Sequence, residues 1–272
     1  MKASEILNHF LGLADWVDRS NTVDKIIIGD PEKEISRILV SLYVDRKAIK
    51  HAIDNGFDMI ITHEPTFWFH ANEVENVLGM EDGPRKKACY DKMKLINDNG
   101  LVIMRNHDVW DRMPRHGIPW AWADFLGLKG EPAAIGAAGY QHRYDIEPVS
   151  LDAFARAVAQ RTAAVGEPAV QAIGDGNRII SKIGIGTGCC CTLEAFIEMG
   201  CDAAIVTDDG FIYWEDIKWA MDIDFPLIRV NHATSEEAGM ITLTRYINES
   251  LSGVKAVHLP HVCGIRVITG SL

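Results

Sequence analysis

The stretch SRILVSLYVDRKAIKHAIDNGFDMIIT, residues 36–62, spells out a complete strand–helix–strand unit. Residues 36–44 form an apolar run with few polar interruptions, the pattern of a strand covered on both faces. Asp45 is placed to cap a helix whose inward side is Ala48, Ile49, Ala52 and Ile53, and Asn55-Gly56 closes it. DMIIT (58–62) then reads as a second short strand, ending at His63-Glu64.

The second half of the chain repeats this order. SKIGIGTG (181–188) is a strand, and Thr192 can cap a helix through Leu193, Phe196 and Ile197 that Gly200 closes. DAAIVT (202–207) is the next strand, ending at Asp208-Asp209. Each half continues through a helical stretch to a third apolar run, LVIMR (101–105) or FPLIRV (225–230). Each third run enters Asn-His, with a carboxylate four residues after the histidine: His107 and Asp111 in one, His232 and Glu236 in the other. Strands alternating with helices predict right-handed crossovers and a mainly parallel sheet in each half. The expected fold class is therefore α/β, with two pseudo-symmetric lobes. Lobe one takes 1–125 with 235–272, and lobe two takes 126–234. Between the repeats, WADFLGL and LDAFARAVAQRTAAV read as helices, and EPAAIGAAGY and GDGNRI as turn-rich joins.

The bulk properties narrow the function. The 272 residues are 47% apolar and 24% charged, ordinary for a globular protein. A net charge of -11, from 27 basic and 38 acidic residues, argues against nucleic acid as a partner. The opening MKASEILNHFLGLADW reads as an amphipathic helix, with Ile6, Leu7, Phe10, Ala14 and Val17 on one side, rather than as a secretory leader. No apolar run approaches the roughly 18 residues of a membrane span, so no membrane association is expected. Six cysteines without a CxxC pair suggest reduced thiols and a cytoplasmic protein. The triplet Cys189-Cys190-Cys191 reads as small residues filling a strand-to-helix junction.

Sites in parallel α/β sheets gather beyond the carboxyl ends of the strands. His63, Glu64, His107, Asp111, His232 and Glu236 all fall there, which predicts a metal site in the cleft between the lobes. Imidazoles and carboxylates without clustered thiols suit divalent Zn, Mn, Fe, Co or Ni. Four or more such ligands suit two ions, with Asp111 and Glu236 placed to bridge them. A metal-bound hydroxide would then be the nucleophile. His107 either ligates or orients Asp111, and Asp108 is the competing carboxylate. Arg105 and Arg112 flank the first phrase and form a candidate anion-binding pair. Other motifs fail: THEPTFW is not HExxH, and GIGTGCC is neither a P-loop nor a full GxGxxG. His70 and the remaining histidines read as surface or satisfied core.

Taken together, SRILVSLYVD, ITHEPTFW, NHDVWD, FLGL, IGIGTGC, DAAIVTDD and NHATSEEAG resemble the NGG-one-interacting-factor-three (Nif-three-like) family, also called GTP cyclohydrolase type two-like, over nearly the whole chain. The resemblance implies a dinuclear metal centre held by His63, Glu64, Asp111, His232 and Glu236, inside a ring-shaped homohexamer. Three places depart from the family pattern. Glu64 replaces the second histidine of its His-His-Pro motif, which favours a harder metal and a less acidic bound water. Glu64 is also the candidate acid or base if it is not a ligand. TDD, ending in Asp209, stands for Thr-Gly-Glu and makes Asp209 an alternative ligand. VDKIIIGD replaces the usual Trp-Asp-Asn-Val-Gly-Leu phrase. The expected activity is hydrolysis of a small, nucleotide-like molecule. The competing expectation is a metal-binding oligomeric adaptor without turnover.

Overall fold

In the computed structural model, which describes residues 1–136, 138–268 and 270, the apolar runs do become strands. The order begins α1 (Ala3–Gly12), β1 (Ile26–Ile28), β2 (Arg37–Ser41), α2 (Arg46–Asp54), β3 (Met59–Thr62), α3 (Glu73–Gly79), α4 (Pro84–Asp98), β4 (Val102–Arg105) and α5 (Asp108–Arg112). It goes on through α6 (Ile118–Leu126), β5 (Ala134–Ile135), β6 (His142–Ser150), α7 (Leu151–Thr162), β7 (Gln171–Ile173), β8 (Ile179–Ile185), α8 (Leu193–Glu198), β9 (Ala203–Thr207), α9 (Lys218–Asp222), β10 (Leu227–Val230), α10 (His232–Ser250) and β11 (Lys255–His258). The chain divides into two units. One is 1–117 with 240–260, and the other is 118–239 with 261–272.

The first unit is built on a sheet ordered β1-β4-β3-β2-β11. All its pairings are parallel except β1 with β4. Leu39, Ile60 and Ile103 share one face and pack against Ile49 and Ala52 of α2, Val77 of α3, and Cys89 and Ile96 of α4. Their neighbours Ile38, Val40, Met59, Ile61 and Met104 point the other way and are buried too. Cover on both faces explains why these strands lack polar alternation. Asp45 caps α2 as expected, its Oδ1 accepting from the Ala48 amide at 2.7 Å. Gly56 leaves the helix at φ +64°, which a side chain would disfavour.

The second unit corrects the expectation of a mainly parallel sheet. Its order is β5-β6-β8-β9-β10-β7. Only β8–β9 and β9–β10 are parallel, whereas β5, β6 and β7 all join antiparallel. The antiparallel strands lie in stretches read as joins or left unassigned. β6 is charged and carries Pro148, which falls where the ladder with β8 slips between Asp145 and Val149. Ile183, Ile185, Ile205, Ile228 and Val230 pack against Leu151, Ala155 and Val158 of α7. Ala204, Val206 and Leu227 face Leu193 and Phe196 of α8 and Ala220 of α9.

The lobe limits also move. Trp122, Ala123 and Leu126 of α6 join the core of the second unit, so that unit begins at 118 rather than 126. Residues from 261 onward belong there as well. The Cys263 amide donates to the Val165 carbonyl at 3.0 Å, and the His261 amide to Glu237 Oε1 at 2.8 Å. Among the described residues no helix is long and apolar enough to cross a membrane.

Candidate metal centre

In the first unit, β3 ends at Thr62, just before His63, and β4 ends at Arg105 on the neighbouring strand. The parallel register pairs Thr62 with Arg105, so the segments that leave these strands emerge side by side. α5 is a single short helix, and its spacing places His107 and Asp111 on one face. The result is a cluster in which ligand atoms of His63, His107 and Asp111 lie within 4.8 Å of one another. His63 Nε2 meets Asp111 Oδ1 at 3.2 Å, and His107 Nδ1 meets Asp111 Oδ2 at 3.1 Å. The His63 and His107 rings stack with centroids 4.4 Å apart. Burial pushes the Asp111 carboxyl up, but positive charge on the two imidazoles, when they are protonated, outweighs it and holds the group below its usual value.

Proton placement tests whether these residues suit a cation. His63 Nδ1 lies 3.3 Å from the Asn106 carbonyl, which can only accept, so this nitrogen carries the proton. His63 Nε2 then offers a lone pair to an anionic oxygen at 3.2 Å. Two lone pairs facing each other in a buried place call for a cation between them, a metal or an added proton. The donor set, imidazole and carboxylate, fits a divalent transition metal.

The second unit has the same construction. His232 opens α10, with Nδ1 2.7 Å from Asp209 Oδ2 and Nε2 3.0 Å from Glu236 Oε2. A proton on Nδ1, shared with Asp209, again leaves Nε2 facing a carboxylate. Gly188, at φ +57°, lies against this pair. A Cβ there would sit 2.7 Å from Glu236 Oε1 and 3.5 Å from His232 Nε2. The glycine after β8 thus keeps space open beside the two candidate ligands.

Several residues to which the sequence reading gives no role at the site shape these clusters. The Asp24 carboxylate, buried, accepts from the amides of His107, Asp108 and Val109 at 2.5, 3.0 and 2.8 Å. In the second unit Asp208 accepts from the His232 amide at 2.9 Å and the Asn231 side chain at 2.7 Å. Glu167 takes the Asn231 amide on both oxygens. His70, read as surface or core, stands edge-on to His107 with centroids 5.3 Å apart.

Other expectations are redistributed. Asp108 turns one oxygen to Thr22 and the Val23 amide and the other to His107 Nδ1. That engages both oxygens and leaves Asp111 as the carboxylate shared by two histidines. Arg105 is fully buried and donates to the carbonyls of His63, at 2.9 Å, and His70, at 2.5 Å. Arg112 donates to the Trp16 carbonyl at 2.9 Å. Both arginines therefore brace the backbone. Glu64 follows His63, half-buried, with its amide on the Leu42 carbonyl at 2.8 Å. Of the cysteine triplet only Cys191 is buried, and Cys189 and Cys190 are exposed.

The sequence matches the Duf34/NIF3 family (NGG1p interacting factor 3) over residues 1–263. The chain belongs to that family. Two relatives, each called GTP cyclohydrolase 1 type 2 homolog, come from Clostridium perfringens and Chlamydia pneumoniae. They are 23% and 22% identical, covering 92% and 91% of this chain and 93% of each relative. Among solved structures, a hypothetical protein of Staphylococcus aureus aligns with a TM-score of 0.78 at 16% identity, over 98% of this chain and 99% of that one. A Bacillus cereus protein related to NIF3 aligns with a TM-score of 0.77 at 14% identity, over 99% of each chain. At such identities the likeness establishes a shared NIF3 fold, and the clusters above rest on this chain's own residues.

Proposed function

We propose that this Duf34/NIF3 protein is a metal-dependent hydrolase acting on a small, nucleotide-like molecule. We propose further that the chain holds two metal ions. The observation that carries the reading is the repeated one: a histidine whose Nδ1 is pinned by an acceptor and whose Nε2 faces a carboxylate at 3.2 Å in one unit and 3.0 Å in the other. His63, Asp111, His232 and Glu236 are the proposed ligands, with His107 beside them and Glu64 as a further ligand or proton carrier. A bound divalent metal would polarise a substrate oxygen and acidify water, so no side-chain nucleophile is required. The residues' own part is to hold the histidine rings with Nδ1 on its acceptor and Nε2 toward the carboxylate, and to exclude bulk water. The relatives' cyclohydrolase name supports a nucleotide-like substrate. The net charge of -11 opposes nucleic acid.

The test is elemental analysis of protein purified without chelator or affinity metal, set beside Asp111→Ala and Glu236→Ala. The expected result is about two divalent ions per chain, with metal lost in each variant. Unchanged metal content in both variants would refute the ligand assignment. Sedimentation at micromolar concentration tests the proposed homohexamer, which a monomer alone would refute.

One observation favours the adaptor instead. His63 and Asp111 are almost wholly buried, and a closed site is the mark of a structural metal. The half-buried His232 points the other way. Detection of an exchangeable water on the bound metal by relaxation measurements supports the hydrolase, and its absence supports the adaptor.

A further inference from the structure

We propose that Thr22, Val23 and Asp24 form a positioning clasp that fixes the ring orientation and tautomer of His107, and with it the approach of Asp111. The inference rests on the metal-binding reading above and concerns residues that touch no proposed ligand atom directly.

α5 is five residues long, barely more than one turn. A helix that short cannot hold its own shape, because nucleation is unfavourable and few internal bonds follow. Yet the separation of His107 and Asp111 depends on that turn. The missing restraint comes from 83–85 residues earlier. The Asp24 carboxylate gathers three consecutive amides, those of His107, Asp108 and Val109. The clasp is reciprocal. The Thr22 hydroxyl donates to Asp108 Oδ2 at 2.7 Å, and the Val23 amide donates to the same oxygen at 3.1 Å. The Asp24 amide donates to Thr22 Oγ1 at 3.0 Å and closes the segment on itself.

The chemical consequence lies at the other Asp108 oxygen. Oδ1 stands 3.1 Å from His107 Nδ1, as does Asp111 Oδ2. Two carboxylates on one ring nitrogen place the proton there and direct Nε2 outward as a lone pair. An outer carboxylate holding one imidazole nitrogen is the usual way a ligand histidine is oriented. Here Thr22 and Val23 fix that carboxylate, and Asp24 fixes the backbone beneath it.

The test compares wild type, Thr22→Val, Thr22→Ser, Asp24→Asn and Asp45→Ala. Asp45→Ala removes a helix cap in the same unit without touching His107, and so reports what lost stability alone does. Affinity for Zn2+ and for Mn2+, each supplied alone, is measured by chelator competition. The His107 tautomer is read from imidazole 15N shifts of the metal-free protein. We expect Thr22→Val and Asp24→Asn to weaken binding about 10–100-fold and to turn a single Nδ1-H tautomer into a mixture. Thr22→Ser should restore both readouts, and Asp45→Ala should alter neither. If Asp24→Asn does not fold, Thr22→Val decides alone. Wild-type affinity and a single tautomer in Thr22→Val would overturn the clasp while leaving the metal reading intact. A wild type that takes up neither metal would overturn both.

Discussion

Histidine and carboxylate four residues apart at a strand exit is a local pattern, and local patterns can be read without a structure. His107 with Asp111 and His232 with Glu236 stand one helical turn apart, which is why the sequence announced them. Asp24 and Glu167 could not be read the same way, because each acts on backbone amides many residues away and carries no motif of its own. Gly188 was half visible: the glycine run was noted, but its use as clearance for Glu236 needs coordinates. Gly188→Ala should therefore disturb the second cluster. Strain at positive φ costs about 1–2 kcal/mol, and the added carbon crowds Glu236 Oε1. The expected outcome is metal loss out of proportion to the drop in melting temperature, and equal metal content would dismiss the clearance argument. His142 offers a second check, away from the clusters. Burial pulls its imidazole down to about 4. Below pH 6.5 the unfolded chain takes up a proton that the folded one refuses, so stability is full above that pH and falls as pH drops toward 4. The amount is about 3 kcal/mol. Urea unfolding across this window should show a shallower acid limb in His142→Gln than in wild type.

The helices α2 and α8 were read correctly because their caps are local. Asp45 accepts from Ala48, and Thr192 accepts from Ala195 at 3.3 Å. Asp45→Ala and Thr192→Ala should each cost about 1 kcal/mol, visible as a melting shift of a few degrees with metal content unchanged. Metal loss in either variant would mean that cap and cluster are coupled. The antiparallel strands β5, β6 and β7 were not read. β5 and β7 span only Ala134–Ile135 and Gln171–Ile173 and lie at the sheet's two edges, where burial leaves little imprint on sequence. β6 mixes charge with Pro148, and its partner β8 was itself legible only as an apolar run. The parallel strands were legible because both faces are covered; the antiparallel ones were not because their pattern is set by a neighbour distant in sequence.

For the whole chain, the NIF3 family and an α/β architecture were both visible in the sequence. The misplaced pieces, α6 and the segment from 261 onward, have in common that only packing assigns them. Trp122 and Leu126 carry no label saying which core they enter. If the two clusters bind metal separately, calorimetric titration of wild type should resolve two events. Asp111→Ala should abolish one and Glu236→Ala the other. Loss of both events in either single variant would instead show one interdependent centre.

The first sheet has a history as well as a shape. β2 is flanked by β3 on one side and by β11 on the other, and β11 is not made until residues 255–258. On the ribosome, roughly 210 residues separate their synthesis, about 10–40 s at ordinary elongation rates. Through that interval Ile38, Leu39 and Val40 present a raw strand edge, a surface prone to pairing with another nascent chain. A strand made long after β2 is thus the one that seals the unit begun first.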